Sequence, residues 1–201
     1  YRGKGLIMAV KITQNGIDTV QNNIITSAKV QTNGVSTDDM PSGSYLQVLN
    51  TIYTGRPSIS ITSSDTDIPG CAITITPKGT NSKFLIHVRG WVECDSEWNI
   101  MFNIQRNGAR INTGGLGSYW SGLGMAVQTY NGASDNSSTP ATLNFSTYDT
   151  TGSTAGVPIT FKLVGSADGT RTMWINRTFA SDGQGGQENS TTEMIIIEVK
   201  G

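Results

Sequence analysis

From Tyr45 onward, short runs in which apolar and polar residues alternate recur roughly every 10 to 15 positions, separated by clusters of turn residues. No stretch follows the 3.6-residue spacing of an amphipathic helix. Such a chain is restricted to antiparallel β structure. The segment FNIQRNGARI, Phe102 to Ile111, carries the pattern most clearly. Ile100, Phe102 and Ile104 fall on one face, and Met101, Asn103 and Gln105 on the other. Asn107-Gly108 comes next, and both residues tolerate the positive φ that a type I′ turn demands, so a two-residue hairpin is predicted here.

Strands are predicted at 44–54, 58–62, 71–76, 83–93, 99–105, 125–130, 141–148, 157–165, 172–179 and 192–200. About ten short strands in one domain of about 160 residues imply a two-sheet sandwich or a barrel. In KFLIHVRGWVE one face carries Phe84, Ile86, Val88 and Val92, and the other carries Leu85, His87, Arg89, Trp91 and Glu93. That second face is mixed rather than plainly solvated. In TEMIIIEVK, Met194 to Ile197 are all apolar, which makes both faces greasy. A strand of this kind needs cover on both sides, from a neighbouring subunit, from the same sandwich or from the N-terminal segment.

Composition agrees with the pattern. Charged residues make up 14% of the 201, glycine accounts for 24 positions, and the net charge is −1. This implies many turns and a lightly charged surface, with no field to attract nucleic acid or an anionic membrane. No apolar run reaches the roughly 18 residues of a membrane span, and YRGKGLIMAV is too short in apolar residues for a secretory signal. The first methionine is Met8, so the sequence reads as a processed or partial product.

Residues 1–42 differ from the rest of the chain: aliphatics are sparse and, after Tyr1, no aromatic residue occurs. Gly16, Asn22-Asn23 and Gly34 oppose a helix, and no heptad is sustained. The segment reads either as a flexible leader or as an extended anchor whose Ile12, Ile17, Val20, Ile24 and Ile25 are buried only in a larger assembly. Residues 43–201 form the head.

Chemistry-bearing residues are few. Cys71 and Cys94 match no metal spacing and read as buried thiols, with one disulfide also open. His87 is the sole histidine, and no G-x-S-x-G accompanies it, so it reads as a surface or interface residue. Glu93, Asp95 and Glu97 cluster at a strand end without a defined direction. Asp65-Thr66-Asp67 reads as a solvated turn, lacking the further ligands of a calcium loop. Neither an enzyme nor a metal or other cofactor is expected. The sequons at Asn136, Asn144, Asn176 and Asn189 read as chance in so Ser/Thr-rich a chain. The glycine-flanked loop of Tyr119 and Trp120, with Asp135, Asn136, Asp182 and Gln184 in two further polar loops, suits glycan binding. Aromatic rings stack on sugar faces and the polar groups bond hydroxyls; a Trp120 that plugs the barrel end is the plainer reading.

ITPKGTNSKFLIHVRGWVE, then NIMFNIQRNGARI, a Gly/Ser-rich excursion, ATLNFSTYDTTGSTAGVPITFKLVG and a hydrophobic last strand resemble the head domain of C1q/tumour-necrosis-factor-like jelly rolls. With VKITQNGIDTVQNNIITSAKV and SGSYLQVLN ahead of it, the chain is similar to short fibre or spike proteins of tailed bacteriophages, especially phages of aquatic bacteria. The resemblance implies a homotrimer of jelly-roll β-sandwich heads, with an extended N-terminal arm attached to other virion proteins and the head facing outward toward host cell-surface polysaccharide. It places the protein on the virion, as a tail or head appendage. No collagen-like repeat is present, so the fibre is expected to be short. His87, Arg89, Trp91, Ile195, Ile197 and Val199 are the candidate trimer interface. A decoration protein with a purely structural role is the alternative, and a secreted adhesin of cellular origin is another.

Overall fold

Asn107 and Gly108 take φ of 49° and 87°, and across them Arg106 pairs with Ala109 and Gln105 with Arg110. The predicted two-residue hairpin therefore forms at the predicted place. The structure is a computed structural model that describes residues 12–13, 16–17, 37–95, 100–112, 122–126, 140–178 and 188–201. The chain divides into two units, Tyr1–Met40 and Pro41–Gly201.

In the first unit, β1 (Ile12–Thr13) and β2 (Gly16–Ile17) pair antiparallel, Ile12 opposite Ile17, and a single 3-10 turn covers Thr37–Asp39. The second unit contains β3 (Tyr45–Tyr53), β4 (Ser58–Ile61), β5 (Thr66–Ile75), β6 (Lys83–Cys94), β7 (Ile100–Arg106), β8 (Ala109–Arg110), β9 (Gly124–Ala126), β10 (Ala141–Asp149), β11 (Ile159–Ser166), β12 (Arg171–Ile175) and β13 (Thr192–Val199). Among the described residues there is no α-helix, and none long and apolar enough to cross a membrane.

These strands make two antiparallel sheets. In the first, β6 is central: β10 lies along one edge, while β13 and then β12 share the other, with β3 and β4 outside them. In the second, the order is β5, β11, β7, and the far edge of β7 is taken by β9 and β8. Period-2 alternation turns one face of each sheet inward. Phe84, Ile86, Val88, Leu143, Met173, Met194 and Ile196 of the first sheet meet Ile73, Ile75, Phe102, Ile104, Phe161 and Leu163 of the second in one core. The Phe84 and Phe161 rings meet at 5.2 Å between centroids, tilted by 54°, within the range that favours aromatic pairs. This is the arrangement of a β-sandwich.

Two boundaries differ from the sequence expectation by more than two residues. β5 begins at Thr66 rather than Cys71, because Pro69 and Gly70 (φ 70°) sit where the register with β11 shifts between Lys162 and Val164. A bulge accommodates a residue with no N–H, so this Pro-Gly pair interrupts the ladder without ending the strand. β12 stops at Ile175 because Asn176 turns to φ 59°. β9 ends at Ala126, and residues 127–130 of that prediction lie outside the described residues.

Both ends of the second unit lie together. Gly43 donates to the Lys200 carbonyl at 2.9 Å and Lys200 to the Ser44 carbonyl at 2.8 Å. The turn at 77–82 and the segment 151–157 sit at the same end, joined by Asn81 N–H to the Ser153 carbonyl and Gly156 N–H to the Pro77 carbonyl. The opposite end carries the start of β10, the end of β6 and the Arg177–Asn189 bridge.

Candidate functional site

The outward faces of the two sheets differ in chemistry. On the second sheet, Lys162 pairs with Asp67 at 2.6 Å and the Thr74 and Thr160 hydroxyls meet at 2.8 Å. Arg110 grips Asp65 through Nε at 2.8 Å and Nη2 at 2.6 Å, and Gln105 adds a bond at 2.9 Å. Burial alone raises the Asp65 carboxyl, but the Arg110 and Gln105 bonds and the Arg110 charge outweigh it and hold the group below its ordinary value. Thr66 and Asp67 are thus strand residues, a correction to the predicted turn, and both aspartates are held by cations of neighbouring strands. It is a solvated, self-satisfied face.

The first sheet presents the reverse. Registers align its outward residues in rows across β3, β13, β6 and β10: Val48, Ile197, Leu85 and Tyr148 in one, and Asn50, Ile195, His87 and Ser146 in the next. A third row runs Ile52, Glu193, Arg89 and Asn144, and Tyr45, Val199 and Lys83 lie at the end near the termini. Tyr45 is 63% exposed, Val48 59%, Ile52 55% and Tyr148 39%. Most large apolar side chains that remain exposed in the described residues lie on this one face. Ile195, Ile197 and Leu85 are half-buried between them.

Several of the sequence-predicted residues come together on this face. His87 and Ile195 are cross-strand partners, as are Leu85 and Ile197, so β6 and β13 bring their candidates side by side. Val199 is buried at the end of β13. Arg89 is ion-paired to Glu193 at 2.6 Å on the same face, and Trp91 is half-buried one step further along β6. Tyr45, Val48, Ile52 and Tyr148 escaped the sequence reading, although the alternation VLNTI carried the signal. Tyr119, Trp120, Asp135, Asn136, Asp182 and Gln184 lie outside the described residues, as do Val20, Ile24 and Ile25; Ile12 and Ile17 are partners in the β1–β2 pair.

The His87 Nδ1 lies 2.7 Å from the Ser146 hydroxyl. This pair sits on an open sheet face whose backbone N–H groups serve the ladders, so among the described residues it faces no preorganised oxyanion donors of the kind acyl transfer requires. Cys71 and Cys94 are separate buried thiols, and burial pushes the Cys71 thiol up to about 12. Such a group is protonated and inert as a nucleophile at neutral pH. Asp95 accepts from Thr172 N–H at 2.9 Å and Glu93 is buried, so these two acids do not converge on open space, and Glu97 lies outside the described residues.

At the end of this face remote from the termini lies a groove of about 290 Å³ over β6, flanked by β10 on one side and by Ser190 and Thr191 on the other. Trp91, Arg89, Thr142 and Asn144 line it as well, over Gly90 and Leu143. Asn176 fixes the two sides relative to each other: its N–H donates to the Trp91 carbonyl, and its own carbonyl accepts from Ser190 N–H, both at 3.0 Å. Its side chain is fully buried and saturated, donating to the carbonyls of Tyr53 and Gly55 and accepting from the Thr192 hydroxyl at 2.7 Å. Gly90 leaves room for this hub, since a β-carbon there would stand 2.6 Å from the Thr192 hydroxyl oxygen.

No protein-family model matches the chain, and a search of curated proteins finds none similar to it.

Proposed function

We propose that this chain is the subunit of a homotrimeric virion fibre or spike of a tailed bacteriophage. Its N-terminal arm holds the particle and its head adheres to host surface glycans. We also read the sandwich as a jelly roll. The resemblance noted in the sequence supports both, and so do the strand orders β3-β13-β6-β10 and β5-β11-β7-β9, in which the chain crosses between sheets at every step among these eight strands except from β7 to β9, in the manner of paired Greek keys.

The observation that carries the assembly is the sidedness of the sandwich. One outward face is ion-paired and polar, and the other leaves Tyr45, Val48, Ile52 and Tyr148 exposed beside Ile195 and Ile197. Contiguous apolar patches on soluble proteins mark interaction surfaces. A surface built into every copy, and flanked by a polar remainder, suits closed self-association. The end where the 41–44 segment enters would then face the particle, leaving the opposite end for contact with a cell. Three weakly binding heads held together raise effective concentration and adhere firmly without strong single contacts.

Light scattering of the full chain over a hundredfold concentration range tests the assembly. A mass three times the 21.4 kDa of one chain is expected; a monomer throughout would remove it. Labelled protein incubated with a panel of aquatic bacteria tests adhesion. Binding to a subset of strains is expected, whereas a stable trimer that binds none would favour a purely structural, decorative role.

A further inference from the structure

We infer that the groove over β6, between β10 and the Ser190–Thr191 segment, binds a neutral pyranose of a surface polysaccharide, with the sugar stacked on Trp91 and its hydroxyls bonded by Asn144, Thr142 and the Ser190–Thr191 segment. The inference rests on the adhesive reading above and gives it a location among described residues. Four features of the site lead to it.

The volume, about 290 Å³, stands at the small end of ligand sites, enough for a sugar unit and too little for a buried polymer segment. The wall combines an indole with short hydroxyl and amide side chains, the pairing that recognises a ring with one apolar face and equatorial hydroxyls. Among the described residues, the side chains of Thr142, Asn144 and Thr191 make no internal hydrogen bond, so their donors and acceptors face outward uncommitted. Finally, the site is preorganised: Asn176 ties the Trp91 strand to Ser190 through two backbone bonds of 3.0 Å, so opposite walls are held before any ligand arrives.

Charge decides the sugar class. The only cation at the groove, among the described residues, is Arg89, and Glu193 meets its Nε at 2.6 Å. With that charge balanced, a uronate or sialate carboxylate gains no net attraction, so a neutral hexose or N-acetylhexosamine fits better than an acidic one. Trp91 and Thr142 lie one row beyond Ile52, Glu193, Arg89 and Asn144, at the end remote from Gly43 and Lys200, so the groove sits at the distal rim of the proposed self-association surface, where a surface polymer would meet the head.

The test uses the full chain, ¹⁵N-labelled, titrated separately to 20 mM with cellotriose, maltotriose, tri-N-acetylchitotriose and trigalacturonate. The indole N–H signal of Trp91, assigned by Trp91→Phe, is followed together with the backbone amide signals of Gly90 and Thr142, and the amides alone report on Trp91→Ala. The expected result is that at least one neutral trisaccharide shifts this signal saturably, that trigalacturonate does not, and that Trp91→Ala and Asn144→Ala each weaken binding tenfold or more. Asn144 is exposed on the strand, so its alanine variant retains the thermal unfolding of the parent and separates lost contact from lost fold. Absence of a saturable shift with every neutral probe, preference for trigalacturonate, or binding that survives both substitutions would each overturn the inference. Adhesion is scored apart: cells that retain both variants as well as the parent exclude the groove and leave adhesion standing. A neutral sugar that shifts Trp91 while no cell binds the protein does the opposite.

Discussion

The guanidinium of Arg106, on the last residue of β7 in one sheet, bonds the carboxylate of Asp149, on the last residue of β10 in the other, at 2.6 Å. The same group donates to the carbonyls of Thr151 at 2.6 Å and Gly152 at 2.8 Å and lies 5.8 Å from the Phe84 ring centroid. It thus clamps the sheets together at this end of the sandwich. Asp149 is buried, and Arg106 nearly so. Removing one partner leaves the other charged in a desolvated place, which costs about 3–5 kcal/mol. Arg106→Ala is therefore expected to lower the unfolding free energy in urea by about 3 kcal/mol, and Arg106→Ala with Asp149→Ala by clearly less than the sum of the two single losses. A strictly additive double mutant would show that the clamp carries no coupling.

Glu198 gives the acid limb of stability. Its carboxylate is fully buried and accepts from the Ser82 hydroxyl at 2.6 Å, the Lys78 and Gly79 N–H groups at 2.9 Å and 3.0 Å, and the Gln47 amide at 2.6 Å. Burial pushes this carboxyl up, but the Ser82, Lys78, Gly79 and Gln47 bonds together prevail and leave it below its ordinary value. A depressed native value stabilises the fold above the unfolded carboxyl value, about pH 4.3, and that stabilisation drains away as pH falls through the native value. Glu198→Gln is expected to cost about 2 kcal/mol at pH 7 and to flatten the decline of stability below about pH 4.5. Urea unfolding at pH 7, 5, 4 and 3 measures both; equal pH slopes for the two proteins would refute the assignment.

Asn176 ties the Tyr53–Gly55 segment and Thr192 to the end of β12 with one buried side-chain amide, at a positive φ that asparagine tolerates better than alanine. Asn176→Ala leaves the Tyr53 and Gly55 carbonyls and the Thr192 hydroxyl short of a partner, at an expected loss of about 3 kcal/mol or more. The same burial excludes the Asn176 sequon from glycosylation once the fold has formed, while Asn144 and Asn189 remain exposed. Expression in a glycosylating host with peptide mass mapping is expected to find Asn176 unmodified in folded protein. Glycan on Asn176 in material that keeps native stability would contradict the structure.

Alternation of side chains made the strands and their two faces legible from sequence, because a period of two depends only on local geometry. Which face turns inward was harder to read where both carry aliphatics. In YLQVLNTIY the set Val48 and Ile52 competes with Leu49 and Tyr53, and only pairing to β13 decides. Pro69-Gly70 looked like a strand boundary because its bulge exists only opposite β11. The clamps at Arg106, Glu198 and Asn176 join residues 43, 116 and 121 positions apart, respectively, and no local pattern announces them. Arg89 and Trp91 fall on a strand face that the sequence already marks as mixed, but Thr142 and Asn144 carry no sequence signal of their own, and only the register with β6 sets them opposite.

Val48 and Ile197 are cross-strand partners at the centre of the apolar face, next to Leu85 and Tyr148 in the same row. If copies of the chain meet through this face, a carboxylate placed there must be desolvated without a partner, whereas in the isolated chain it stays at the surface. Val48→Asp is the cleaner probe because Val48 is 59% exposed and contributes little to the core of its own chain. It is expected to weaken association by about 2 kcal/mol or more, roughly thirtyfold in Kd, and to leave far-UV circular dichroism unchanged. Thr74→Asp on the polar sheet is the matched control: Thr74 is likewise exposed on a strand, but on the opposite outward face. Light scattering at several concentrations should find Val48→Asp dissociated and Thr74→Asp assembled. The reverse result would move the interface to the second sheet. Equal behaviour of both variants would detach assembly from the sheet faces altogether.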